Sequence, residues 1–172
     1  IKKIKKIAEI IANYKKKNFK VIVISSAMSG VTNELIKKSF EISGNFSESE
    51  HDVLVSSGEQ MACSLIAGRL IHKGYRSRSW LSWQIPIITL GSHKNSRINQ
   101  INKNKIIKYL KEGGIPIITG FQGVNNENRI TTIGRGGSDA SAIMIAKFFK
   151  AEKCIIYTDV EGVYTTDPNK LK

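Results

Sequence analysis

Cysteine, proline and acidic residues are scarce in this sequence, and long apolar runs are missing. Two cysteines, Cys63 and Cys154, stand far apart in apolar stretches. That spacing argues against a disulfide framework and for reduced, buried thiols. No apolar run approaches the roughly 20 residues a membrane-crossing helix needs, so no membrane partner is expected. Neither the Gly-x-x-x-x-Gly-Lys-Ser/Thr phosphate loop nor a Gly-x-Gly-x-x-Gly turn after a strand occurs. His51, His72 and His93 have no companions at metal-ligand spacing, so no histidine-held metal is expected. Acidic residues number 14 against 27 basic ones, giving a net charge of +13. Only six of the basic residues are arginine, and the lysines are spread among Ile and Asn over most of the expected helices. A nucleic-acid interface would concentrate them in a stripe or interleave them with aromatics. The charge therefore reads as a solvated basic surface, with no nucleic-acid partner.

What is present is an alternation of helical and strand patterns. With 172 residues, the chain can bury the core of one α/β domain. Ile1, Ile4, Ile7, Ala8, Ile11 and Tyr14 recur at helical spacing with lysines opposite. Phe19 to Ser25 is a continuous apolar run, as a buried parallel strand requires. Helices are expected over Asn33 to Ile42, Asp52 to Lys73 (stopped by Gly74), Asn99 to Glu112, and Ala140 to Lys150 after an opening Ser138-Asp139. Strands are expected over Tyr75 to Leu81, Ile85 to Leu90, Ile115 to Thr119 and Cys154 to Tyr157. Gly44 to Glu50 and Gly91 to Arg97 read as polar connectors. Val124 to Ile133 reads as a hairpin around Asn125 to Asn128. Such alternation gives a mainly parallel sheet covered on both faces, a three-layer αβα sandwich.

Ligands of such sheets collect at the carboxyl ends of strands. Four of those ends here carry small and polar residues: Ser25 to Gly30, Gly120 to Gly123, Gly134 to Asp139 and Thr158 to Asp167. The third is the richest. Glycines allow close backbone approach, the helix start offers unpaired N–H groups, and Arg135 adds a planar fork suited to carboxylate or phosphate. Several residues read two ways. Glu59 either faces solvent or, beside Gly58, approaches a ligand. Asp139 either caps its helix or serves the site. Asp159 either fixes a turn or contacts a ligand.

The segments Ser26-Ala27-Met28 with Thr32, Ser57-Gly58-Glu59, Gly120-Phe121-Gln122-Gly123, Thr132 to Asp139, and Tyr157 to Pro168 resemble, in content and order, the catalytic domain of the aspartate kinases within the amino acid kinase family. The resemblance implies the family's αβα fold and transfer of the ATP γ-phosphoryl group to the side-chain carboxylate of L-aspartate. It implies that Arg135 holds the substrate α-carboxylate and Glu59 its ammonium, with hydrogen bonds from Thr32 and Ser138. Asp139 matches a catalytic aspartate, with Arg135 beside it. Ser26, Thr158, Asp159 and Tyr164 match the nucleotide site, where Mg²⁺ would bridge the phosphates. A cytoplasmic enzyme, homo-oligomeric at full length, is also implied. The family's opening Lys-Phe-Gly-Gly-Thr-Ser strand is expected before Ile1 and its regulatory ACT domains beyond Lys172, which makes residues 1–172 a partial catalytic domain. By itself that segment is expected to transfer phosphate very slowly or to act only as a fold that binds nucleotide, because charge stabilisation by the missing lysine is a large part of phosphoryl-transfer catalysis.

Overall fold

A computed structural model describes residues 1–134 and 136–158. The opening periodicity gives helix α1 (Lys2–Lys16), which buries Ile4, Ala8, Ile11 and Ala12. The following elements are β1 (Val23–Ser25), α2 (Val31–Ile42), α3 (Glu48–His72), β2 (Ser77–Trp80), β3 (Ile87–Leu90) and β4 (Arg97–Ile101). Then come α4 (Asn104–Lys111), β5 (Ile115–Thr119), β6 (Gln122–Val124), β7 (Ile130–Thr132) and α5 (Gly137–Phe149).

The sequence order becomes three layers through β5. Its five residues are all buried, and it pairs in parallel with β1 on one side and β2 on the other. Because side chains alternate along a strand, Ile115 and Ile117 pack with Ile4, Ala8 and Ile11 of α1 and Cys63, Ile66, Ala67 and Leu70 of α3. Ile118 faces the other way, toward Ile106 of α4 and Ile145 of α5. The fold is thus an αβα sandwich on a parallel sheet, as the sequence implied. A second sheet, in the order β4-β3-β6-β7, is mixed: β3 and β6 are parallel, while β3–β4 and β6–β7 are antiparallel. Among the described residues, no helix is long and apolar enough to cross a membrane.

Several local expectations are corrected. The strand expected from Phe19 begins at Val23. Helix α3 starts at Glu48, so part of the expected polar connector is its first turn. Asn99 to Ile101 belong to β4, not to a helix. The β3–β4 register shifts between Ile88 and Thr89, and this bulge puts the two buried residues Ile98 and Ile101 three apart. In sequence that spacing imitates a helix. The apolar run Cys154 to Tyr157 forms no strand; Cys154 is exposed rather than buried. A lone parallel strand has no hydrogen-bond ladder, and no described segment supplies one here. The hairpin at Asn125 is present, closed by Asn125 N–H to Arg129 O at 3.0 Å.

The second sheet is closely packed at Gly123. A β-carbon there would collide with Thr89 Cγ2 and stand 2.6 Å from the Ile87 carbonyl oxygen. Backbone cannot yield as a flexible side chain does. Gly123→Ala should therefore cost roughly 1–3 kcal/mol, read as a lower urea midpoint. An unchanged midpoint would show that β3 and β6 can move apart freely.

Candidate active site

The carboxyl ends of β1 and β5 lie side by side, with Ser25 in register with Thr119. Beyond Thr119, Gly120 donates its N–H to Ser25 O at 3.0 Å. A β-carbon on Gly120 would stand 3.2 Å from Ser25 O and 3.3 Å from Ser138 Cα. Glycine at this position therefore lets the end of β1 and the start of α5 meet. The α5 entry is equally tight, since a β-carbon on Gly137 would lie 2.7 Å from the Phe121 ring. Phe121 itself holds φ +63°. Its N–H donates to Ser141 Oγ at 3.0 Å, and that hydroxyl donates to Gly137 O at 2.6 Å.

The turn after β1 is held from below by α3. A β-carbon on Gly58 would be 2.9 Å from Ala27 Cβ and 3.3 Å from Val31 Cγ1. This close approach brings Glu59 Oε1 within 3.0 Å of the Ala27 N–H, which donates to it. Glu59 is only 3% exposed, and its Oε2 has no partner among the described residues. Burial pushes its carboxyl up to about 7, partly opposed by the Ala27 hydrogen bond. The solvent-facing reading of Glu59 is thereby excluded. Thr119 Oγ1 and Gln122 Oε1 are likewise buried and unpartnered. Orphaned buried polar atoms at one sheet edge mark a place where a polar ligand is accommodated. One turn further along α3, burial pushes the Cys63 thiol up to about 12, with Glu59 adding to the shift and a Ser25 hydrogen bond opposing it. Cys63 is a neutral packing group.

The structure places Ser26, Thr32, Glu59, Ser138 and Asp139 on elements that meet at the ends of β1 and β5. Ser26 is exposed on the turn beside Ala27, and Thr32 is half-buried at the second position of α2. Ser138 is half-buried and Asp139 exposed in the first turn of α5. Neither caps that helix: the cap position is Gly136, at φ +72°, with no side-chain cap bond. Asp139 makes no hydrogen bond or ion pair among the described residues, so the capping reading fails and the side chain faces solvent at the sheet edge. Thr158 is exposed and follows Tyr157, whose hydroxyl is 3.4 Å from that of Tyr14. Arg135, Asp159 and Tyr164 lie outside the described residues.

Asp52 joins this region although nothing in the sequence reading singles it out. It is 0% exposed. Its carboxyl group accepts the Thr132 hydroxyl at 2.6 Å, the Thr132 N–H at 3.1 Å and the Lys94 N–H at 3.1 and 3.2 Å. His93 Nδ1 lies 2.7 Å away, so His93 is not solitary. Asp52 thus fastens α3 to the loop before β4 and to the last residue of β7, two residues ahead of Gly134. The sequence does carry a signal. Asp52, Ser56, Glu59 and Cys63 fall at helical spacing on the buried face of α3, and two carboxylates there are too costly to be incidental.

No three His, Cys, Asp or Glu residues converge to hold a metal among the described residues. The donors at this edge are instead backbone N–H groups and hydroxyls, which suit phosphate oxygens. A divalent cation would be held here only as a companion of a phosphate-bearing ligand.

Parallel strands that end in glycine turns around a buried carboxylate and an open helix start define the class, an α/β protein with a candidate small-molecule site at its strand ends. Residues 2–172 match the model of the amino acid kinase family, and the chain belongs to that family. It is 48% identical over 171 residues to the aspartokinase of Rickettsia conorii, covering 98% of this chain and 43% of that protein. The crystal structure of aspartate kinase from Synechocystis matches 98% of this chain and 28% of its own at TM-score 0.77 and 34% identity. That of E. coli aspartokinase III in complex with aspartate and ADP matches 87% of this chain and 44% of its own at TM-score 0.73 and 25% identity. The chain spans less than half the length of each of these relatives.

Proposed function

We propose that residues 1–172 are part of the catalytic domain of an aspartate kinase. The reaction moves the γ-phosphoryl group of ATP onto the side-chain carboxylate of L-aspartate, giving 4-phospho-L-aspartate and ADP. It is the first step towards lysine, threonine and methionine, in a cytoplasmic, homo-oligomeric enzyme. The observation that carries this reading is Glu59: a buried carboxylate with one oxygen fixed by a backbone N–H and the other unpartnered. A buried charge of this kind is best neutralised by a cation with its own donors, and the α-ammonium of an amino acid is such a group.

The other roles follow the same logic. Arg135 opposes the α-carboxylate with a bidentate fork. Thr32 and Ser138 supply hydroxyls to the substrate. Ser26, Thr158, Asp159 and Tyr164 contact the nucleotide, whose phosphates take up the N–H groups at the start of α5. In-line attack by a side-chain carboxylate oxygen forms the new P–O bond as the bond to ADP breaks, and Asp139 orients the groups that meet there. Mg²⁺, if bound with the nucleotide near Asp139, would supply neutralisation of the developing charge.

The test is a coupled ATP assay on the complete protein across acceptors. Turnover is expected with L-aspartate and not with carbamate or uridylate. Preference for an acceptor without an amino acid backbone would overturn the assignment.

A further inference from the structure

We propose that the groove between β2 and α4, on the far edge of the parallel sheet from β1, is a binding site for a small oxyanion carrying two or more negative charges. Residues of one face of a strand alternate, so Arg76, Arg78 and Trp80 all look toward α4. Lys105, Lys108 and Glu112 recur at helical spacing along α4 and its C-terminal cap. The two rows flank an open groove of about 460 Å³, lined also by Gln84 and Tyr109. Four cations and one carboxylate line it.

Three of the four cations are held in place, while Lys108 is exposed on α4. The Arg78 guanidinium stacks 4.1 Å from the centre of the Trp80 ring. Arg76 lies 5.2 Å from the Tyr109 ring centre and donates to the Glu112 carboxylate. Lys105 Nζ donates to the Gln84 carbonyl at 3.0 Å. Trp80 and Tyr109 meet edge to face, with centres 5.7 Å apart. Glu112 answers only Arg76, and Arg78 and Lys108 pair with no carboxylate among the described residues. Like charges set facing each other across a groove raise the free energy of the empty site, and a multivalent anion between them removes that repulsion. The Trp80 indole adds an independent observation. The residue is 5% exposed, it forms part of the groove wall, and its Nε1–H has no acceptor among the described residues. Apart from the Glu112 carboxylate, the Gln84 amide oxygen and the Tyr109 hydroxyl, which can accept, the lining offers donors alone, so a ligand rich in acceptors fits it. Phosphorylated compounds and polycarboxylates share that chemistry. The site is separate from the proposed kinase centre and does not depend on that reading.

The chain has two tryptophans, Trp80 and Trp83, and therefore two indole N–H resonances. Trp83→Phe assigns them. Titration with pyrophosphate or with citrate at constant ionic strength should shift the Trp80 resonance and saturate at millimolar anion or below. The stronger of the two anions identifies phosphate or carboxylate as the natural group. The double variant Arg78→Gln, Lys108→Gln changes exposed side chains only, so its circular dichroism should match the parent while affinity falls at least tenfold. A Trp80 shift that follows ionic strength alone, or survives in the double variant, would overturn the proposal. So would a single-stranded oligonucleotide that binds there more tightly than either anion.

Discussion

Glu59→Gln in the complete protein should raise the KM for L-aspartate roughly 30-fold or more, the usual loss when one member of a buried charge pair is removed. The effect on kcat should be smaller, because the ammonium is gripped equally before and during phosphoryl transfer. Its pH dependence provides the sharper check. Burial holds the Glu59 carboxyl up at about 7, so near neutrality only part of the protein carries the charge that attracts an ammonium. Binding the substrate must draw the proton off. KM should therefore fall as pH rises through about 7 in the parent and stay flat in the Gln variant. The sign for stability is opposite. Between about pH 4.5 and 7 the folded protein holds a proton at Glu59 that the unfolded chain releases, so stability should decline across that window by about 3 kcal/mol. The Glu59→Gln substitution should remove that slope, and saturating aspartate should flatten it in the parent. An identical KM profile for parent and variant would sink the role assigned to Glu59.

Asp52→Asn should destabilise the fold by about 3 kcal/mol or more. An amide has the shape of the carboxyl group but turns one acceptor into a donor. Both carboxyl oxygens accept from a backbone N–H, so in either orientation the new amide donor faces the N–H of Lys94 or of Thr132. The site is fully buried, so water cannot relieve the mismatch. For a chain of this size, such a loss lowers Tm by about 6–12 °C. Thermal and urea unfolding measure it directly. A loss under about 1 kcal/mol would mean that the Thr132–Asp52–His93 cluster rearranges without strain and does not hold the strand ends in place.

The two residues differ in how far the sequence announces them. Glu59 is legible because Gly58 precedes it, and a glycine inside a helix implies close approach of something else. The structure identifies that neighbour as the Ala27 turn. Asp52 is hidden because it stands where the apolar pattern places the start of the helix, and an aspartate at a helix start is ordinary. Only with α3 beginning at Glu48 does Asp52 become an interior carboxylate that needs partners. The β4 strand misleads for a related reason: a bulge in its pairing with β3 gives Ile98 and Ile101 a helical separation. Cys154 to Tyr157 shows the converse, an apolar run with good strand composition that lacks a described neighbour to pair with.

The alternation of helices and strands along most of the chain, the glycine turns at the strand ends and the αβα class are written in the linear chain. They follow from periodicity and from backbone freedom, which act over a few residues and can be read in one dimension. Which polar groups are shut away from water together is a property of the packed layers alone. Asp52 meets His93 and Thr132 across 41 and 80 residues of chain, and Glu59 meets Ala27 across 32. Arg76 meets Glu112 across 36, bringing together the two basic rows of the β2–α4 groove. A carboxyl group's proton affinity, or a guanidinium's readiness for an anion, depends on how much water and how many opposite charges surround it. Those surroundings exist only once the layers have packed.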